Sequence, residues 1–120
     1  VEKEVDFNKY SLIAPILIAL SVFSISAYGI YNQMYWVEWG VYPREISGLK
    51  GVFTSPFVHG SWEHLVNNSI PLLVLGMGVF YFFRKVAWQV VFWSVILTGF
   101  WVWIAARPAY HIGASGVVYA

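Results

Sequence analysis

Three stretches of this chain carry no charged residue, and each is about as long as a membrane is thick. They cover residues 11–31, 65–83 and 86–106. A helix of about 20 residues, rising 1.5 Å per residue, spans a hydrocarbon core of about 30 Å. The expected architecture is an all-α membrane protein. Its spanning helices should lie at about 11–31, 61–83 and 86–106, with a long loop at 32–60 and a tight turn at Arg84 and Lys85. Composition agrees, with 59% hydrophobic and 11% charged residues, where a soluble domain carries about 25% charged. The first run is too long for a signal peptide, follows an acidic segment and lacks a small-residue cleavage site.

Several function classes drop out. The net charge is +1 and no basic cluster exists to hold phosphates, so nucleic acid is not an expected partner. The chain has no cysteine, which removes disulfides, thiolate metal sites and a cysteine nucleophile. Neither an H-E-x-x-H motif nor a carboxylate cluster is present, so no metal or other cofactor is expected. The chain begins at Val1 and stops at Ala120 inside a new apolar run, and both ends read as cuts in something larger.

The 32–60 loop combines turn formers (Gly40, Pro43, Gly48, Gly51, Pro56) with Tyr35, Trp36, Trp39, Tyr42 and Phe57. Tyr and Trp favour the headgroup level, so the loop is expected to lie in the interface, structureless and functional. Arg84 and Lys85 flank two membrane ends without acidic neighbours, which assigns their turn to the cytoplasm. The 32–60 loop and the 107–116 segment then share the outer face, periplasmic or extracellular, of a bacterial cell membrane.

At that outer end the second span opens with Ser61 as cap and Glu63 in its first turn. His64 and Asn68 stand four residues apart, on one helix face. Polar groups inside a span face the bundle interior. As they stand, the two read equally well as hydrogen-bonding glue to a neighbouring helix. Ser115 lies between glycines in Gly113-Ala114-Ser115-Gly116, where a fourth helix starts. Unpaired N–H groups there can be aimed at a developing negative charge, yet a plain N-cap has the same pattern. Val117 stands where a nucleophile elbow needs glycine, so that motif fails. Taken together, Ser115 offers a hydroxyl and its own N–H, while His64 and Asn68 offer donors from a facing helix. A general base is missing.

The stretch 57–68 resembles the rhomboid-family pattern of His, four residues, His, three residues, Asn, here His59, His64 and Asn68. His111-Ile112-Gly113-Ala114-Ser115-Gly116 resembles that family's Gly-x-Ser-Gly nucleophile motif. The resemblance implies a six-helix bundle, of which three transmembrane helices and the start of the fourth fall in this chain, around a water-filled cavity open to the outside. It implies an intramembrane serine endopeptidase that cleaves transmembrane proteins within the lipid bilayer, with Ser115 as nucleophile. His64 and Asn68 would flank the oxyanion, supported by Gly113 and Ala114, and His59 and His111 would shape the supporting loop. The family's base is a histidine on a sixth helix, which this chain does not contain. Alone the chain is expected to be inactive, and a second chain or copy could complete the bundle. Gly116 and Ala120 have small-xxx-small spacing, suited to that base-bearing helix. The loop's frequent Trp-Arg dipeptide is replaced by the separated Trp39 and Arg44. A catalytically silent relative that binds or escorts membrane clients is the other reading. A transporter ranks below both, for want of a charged residue in any span.

Overall fold

A computed structural model describes residues 12–118, so the polar lead-in at 1–10 and the small residue Ala120 lie outside it. The described chain is all-helical, with α1 (Ile13–Tyr31), α2 (Gly51–Thr54), α3 (Trp62–Phe82), α4 (Ala87–Ala105) and α5 (Ser115–Val118). Of these, α1, α3 and α4 are long and apolar enough to cross a membrane. Pro15 falls in the first turn of α1, where its missing N–H would have no helical acceptor. Ser61 starts α3 as its sequence suggests: it is extended, at φ −157° and ψ 162°, and its hydroxyl accepts the His64 N–H at 3.1 Å. The turn between α3 and α4 is closed by Phe83 N–H on the Val79 carbonyl at 2.8 Å and Val86 N–H on Phe83 at 3.0 Å.

The three long helices do not form a closed bundle. α1 packs along α3, whereas α4 packs chiefly on α2 and α5 and meets α3 near their turn. There Phe80 and Trp88 stand edge to face with centroids 5.1 Å apart. Gly76 lets α3 approach α1, since a Cβ there would stand 3.2 Å from Pro15. Gly78, two residues on, faces open space. On α4, a Cβ at Gly99 would reach 2.7 Å from Val52, so glycine is what seats α2 against the third span. Leu17, Leu20, Ile70, Val74, Phe92, Trp93 and Trp101 stay exposed around the long helices. Helices that are apolar on nearly every side belong in lipid or against further helices.

The 32–60 segment is not structureless, and that expectation is corrected. Besides α2 it contains single 3-10 turns at Val37–Trp39, Ile46–Gly48 and Ser55–Phe57. Its anchor is Arg44, held at φ +62°. The Arg44 N–H donates to the Trp103 carbonyl at 2.9 Å, and its Nη1 donates to Ile104 at 3.1 Å and Ala106 at 2.9 Å. Trp103 Nε1 returns a bond to the Glu45 carbonyl at 2.8 Å. The last carbonyls of a helix lack internal donors and carry partial negative charge, so a guanidinium there satisfies both needs. Separation from Trp39 thus leaves Arg44 a defined task, clamping the loop to the end of α4. Trp39 is engaged elsewhere, accepting the Thr54 hydroxyl on its carbonyl at 2.6 Å and lying 4.5 Å beneath Lys50 Nζ.

Candidate active site

Capping by Ser61 sets the register of α3, so that His64 lies in its first turn and Asn68 one turn further in. Leu65 between them is fully buried and fixes the face that turns inward. Asn68 is 6% exposed, and its Nδ2 has no hydrogen-bond partner among the described residues. A buried donor left unpaired costs about 1–3 kcal/mol, so native proteins rarely keep one without a reason.

The segment before α5 is brought to this pair by four hydrogen bonds, three of them between backbone groups. His111 and Val41 form an isolated antiparallel bridge, with N–H to carbonyl distances of 2.9 and 2.8 Å. Gly113 N–H donates to the Ser55 carbonyl at 2.9 Å, and Ala114 N–H donates to His59 Nε2 at 3.3 Å. Gly113 sits at φ +102°, where side chains are strained. A Cβ there would stand 2.7 Å from His64 Nε2 and 3.2 Å from Asn68 Nδ2. Glycine is therefore required twice at this position, by its dihedral angle and by its neighbours. Ser115 follows two residues later as the first residue of α5, partly exposed. Beside it lies a cavity of about 190 Å³ lined by Val52, Pro56, Thr98 and Val117 among others.

Hydrogen-bond direction defines the state of His59. The Phe57 carbonyl can only accept, so the Ser26 hydroxyl donates to it, at 2.6 Å. Toward His59 Nδ1, 2.9 Å away, Ser26 Oγ must then accept, which puts the proton on Nδ1. Nε2 is left with a lone pair, which takes the Ala114 N–H. The imidazole is 2% exposed and stacks edge to face on His64, centroids 4.8 Å apart. Burial, and secondly the neighbouring His64, lower its pKa from 6.5 to about 4. His59 is thus a neutral support for the segment that carries Ser115. His111 is partly exposed, and its Nε2 donates to the Arg107 carbonyl at 3.1 Å.

The N–H groups of Gly113 and Ala114 are both engaged within the chain, on the Ser55 carbonyl and on His59 Nε2. Ser115 N–H, at the first position of α5, has no helical acceptor. Gly116 is packed against α4: a Cβ there would stand 2.5 Å from Thr98 Cγ2, and its carbonyl accepts the Thr98 hydroxyl at 3.3 Å. Its small side is therefore used within this chain, against Thr98. Sequence reasoning missed Ser26 altogether, for it reads as one more small residue in an apolar run.

Fold and site define a class: an all-α integral membrane protein whose glycine-flanked serine segment lies against a His–Asn pair at one end of the helices. The chain belongs to the rhomboid family, since residues 46–120 match the Rhomboid domain. It is similar to uncharacterized proteins of Mycobacterium tuberculosis (strain ATCC 25618 / H37Rv) and Mycobacterium bovis (strain ATCC BAA-935 / AF2122/97). Each is 39% identical over 88 residues, covering 67% of this chain and 36% of the relative. An uncharacterized protein of Mycobacterium leprae (strain TN) is 34% identical over 84 residues, covering 59% of this chain and 31% of its own length. The chain thus spans about a third of the length of the curated relatives it matches. No solved structure matches it.

Proposed function

We infer that the protein is an intramembrane serine endopeptidase of the rhomboid type, with Ser115 as its nucleophile. The observation that carries this reading is the buried, unpaired Asn68 Nδ2 held against Gly113 beside His64, two residues from Ser115. An unsatisfied donor in that position is costly to folding and useful to a developing oxyanion. Ser115 Oγ attacks the scissile carbonyl and passes its proton to a base. The tetrahedral oxyanion accepts from Ser115 N–H, Asn68 Nδ2 and His64, and the base returns the proton to the leaving amine.

The base belongs to the whole protein, on a helix outside these residues. His59 has both ring nitrogens in use and is buried, while Nε2 of His111 is bound to Arg107. The exposed apolar perimeter of α1, α3 and α4 suits lipid and additional helices, and a single-span membrane protein, unwound near the outer face, is the substrate class that can reach Ser115. Retention of Ser115, His64 and Asn68 favours the enzyme over a silent client-binding relative. Treating the full-length membrane protein with a fluorophosphonate and locating the adduct by mass spectrometry tests the reading. The label is expected on Ser115 and lost in Ser115→Ala. Labelling that persists in Ser115→Ala would overturn the assignment.

A further inference from the structure

Ser26 lies in the first span, far in sequence from Ser115, and yet begins a chain of bonds that ends one residue before it. We propose that Ser26 is a positioning residue for Ser115: it holds His59 in the Nδ1–H tautomer, and His59 Nε2 in turn holds the Ala114 N–H. The directions in this relay are fixed at both ends. The Phe57 carbonyl consumes the only proton of the Ser26 hydroxyl, at 2.6 Å, so Ser26 can offer His59 nothing but a lone pair. The Ala114 N–H, at 3.3 Å, needs a lone pair from His59. Only the neutral Nδ1–H imidazole meets both demands.

Burial gives the relay its leverage. Ser26 and His59 are each 2% exposed, so water cannot replace either partner. Without the Ser26 hydroxyl, Nδ1–H loses its acceptor in a dry site. The imidazole then shifts its proton to Nε2, which turns a donor toward the Ala114 N–H, or moves to find another acceptor. Both responses release Ala114, and with it the backbone that sets Ser115. Ser21, five residues earlier on α1, shows the ordinary alternative for a serine in a span: it donates to the Leu17 carbonyl of its own helix at 2.7 Å.

Amide hydrogen exchange at Ala114, read by NMR on 15N-alanine-labelled full-length protein in micelles, tests the relay without reference to activity. Fluorophosphonate labelling of Ser115 tests its consequence, which rests on the protease reading. Loss of one buried hydrogen bond predicts exchange at Ala114 about tenfold faster in Ser26→Ala and labelling slowed to a similar degree. Ser21→Ala should change neither. In a His59→Phe background Ser26→Ala should add nothing, because Ser26 acts through His59. Unchanged exchange in Ser26→Ala, or an equal increase with and without His59, overturns the relay. Faster exchange with unaltered labelling overturns the positioning role. Wild-type protein that takes no label at Ser115 sinks the protease reading, and the exchange measurement alone then decides the relay. The comparison of Ser26→Ala with Ser21→Ala stands even where His59→Phe does not fold.

Discussion

Gly113 lies so close to His64 that a single added carbon would stand 2.7 Å from the imidazole Nε2. This contact joins the segment before Ser115 to α3, and it depends on glycine for both its space and its φ of +102°. Gly113→Ala must therefore strain the backbone or push Ser115 away from the His64–Asn68 pair. Displacements of about 1 Å at a catalytic centre cost on the order of 10²-fold in rate. A comparable fall in turnover is expected, with the three spans intact by circular dichroism. Full activity in Gly113→Ala would show that the contact does not matter.

Asn68 separates a catalytic donor from structural glue. As an oxyanion donor, its removal in Asn68→Ala should lower turnover about 10²–10³-fold. Its Nδ2 has no hydrogen-bond partner among the described residues, so the thermal midpoint in detergent should not fall as it would on losing an interhelical bond. Normal turnover with a markedly lower midpoint would identify glue instead.

His59 makes stability depend on pH. Its folded pKa of about 4 lies below its ordinary 6.5, so between these values the unfolded chain binds more protons than the folded one. The stabilisation is fully present above pH 6.5 and is lost progressively as pH falls toward 4, by on the order of 3 kcal/mol. Thermal midpoints measured across that window should drop in the wild type and flatten in His59→Gln. An equal drop in both would assign the titration to another group.

Orientation is testable because the chain has no native cysteine. The turn at Arg84 and Lys85 is expected inside and the loop carrying Ile46 outside. Ile46, 85% exposed, tolerates a probe where Gly48, packed on Tyr42, does not. In intact cells Ile46→Cys should react with an impermeant thiol reagent, and Lys85→Cys should not. The opposite pattern would put Ser115 on the cytoplasmic side.

The long helices were legible because a lipid environment writes itself into sequence as runs without charge. The cap at Ser61 was legible for a similar reason, since it depends on residues three apart. What stayed hidden depends on which distant groups meet. Nothing near Arg44 says that its guanidinium ends α4, because its acceptors are carbonyls some 60 positions away. Ser21 and Ser26 look alike in the sequence, yet one bonds its own helix and the other holds His59. Gly76 and Gly78 likewise differ only in what stands opposite. Motif resemblance singled out His59, His64, Asn68 and Ser115, but not that the N–H groups of Gly113 and Ala114 are already bound.

Cleavage in a bilayer tests the central claim most directly. The full-length protein, reconstituted in liposomes with a single-span membrane protein bearing a helix-destabilising segment near its outer end, should cut that substrate within or beside its span. Mass spectrometry of the products should place the cut there, and Ser115→Ala should abolish it. Residues 1–120 alone, lacking the base, should give no product. Cleavage that survives Ser115→Ala, or Ser115-dependent cleavage by residues 1–120 alone, would contradict the catalytic apparatus described.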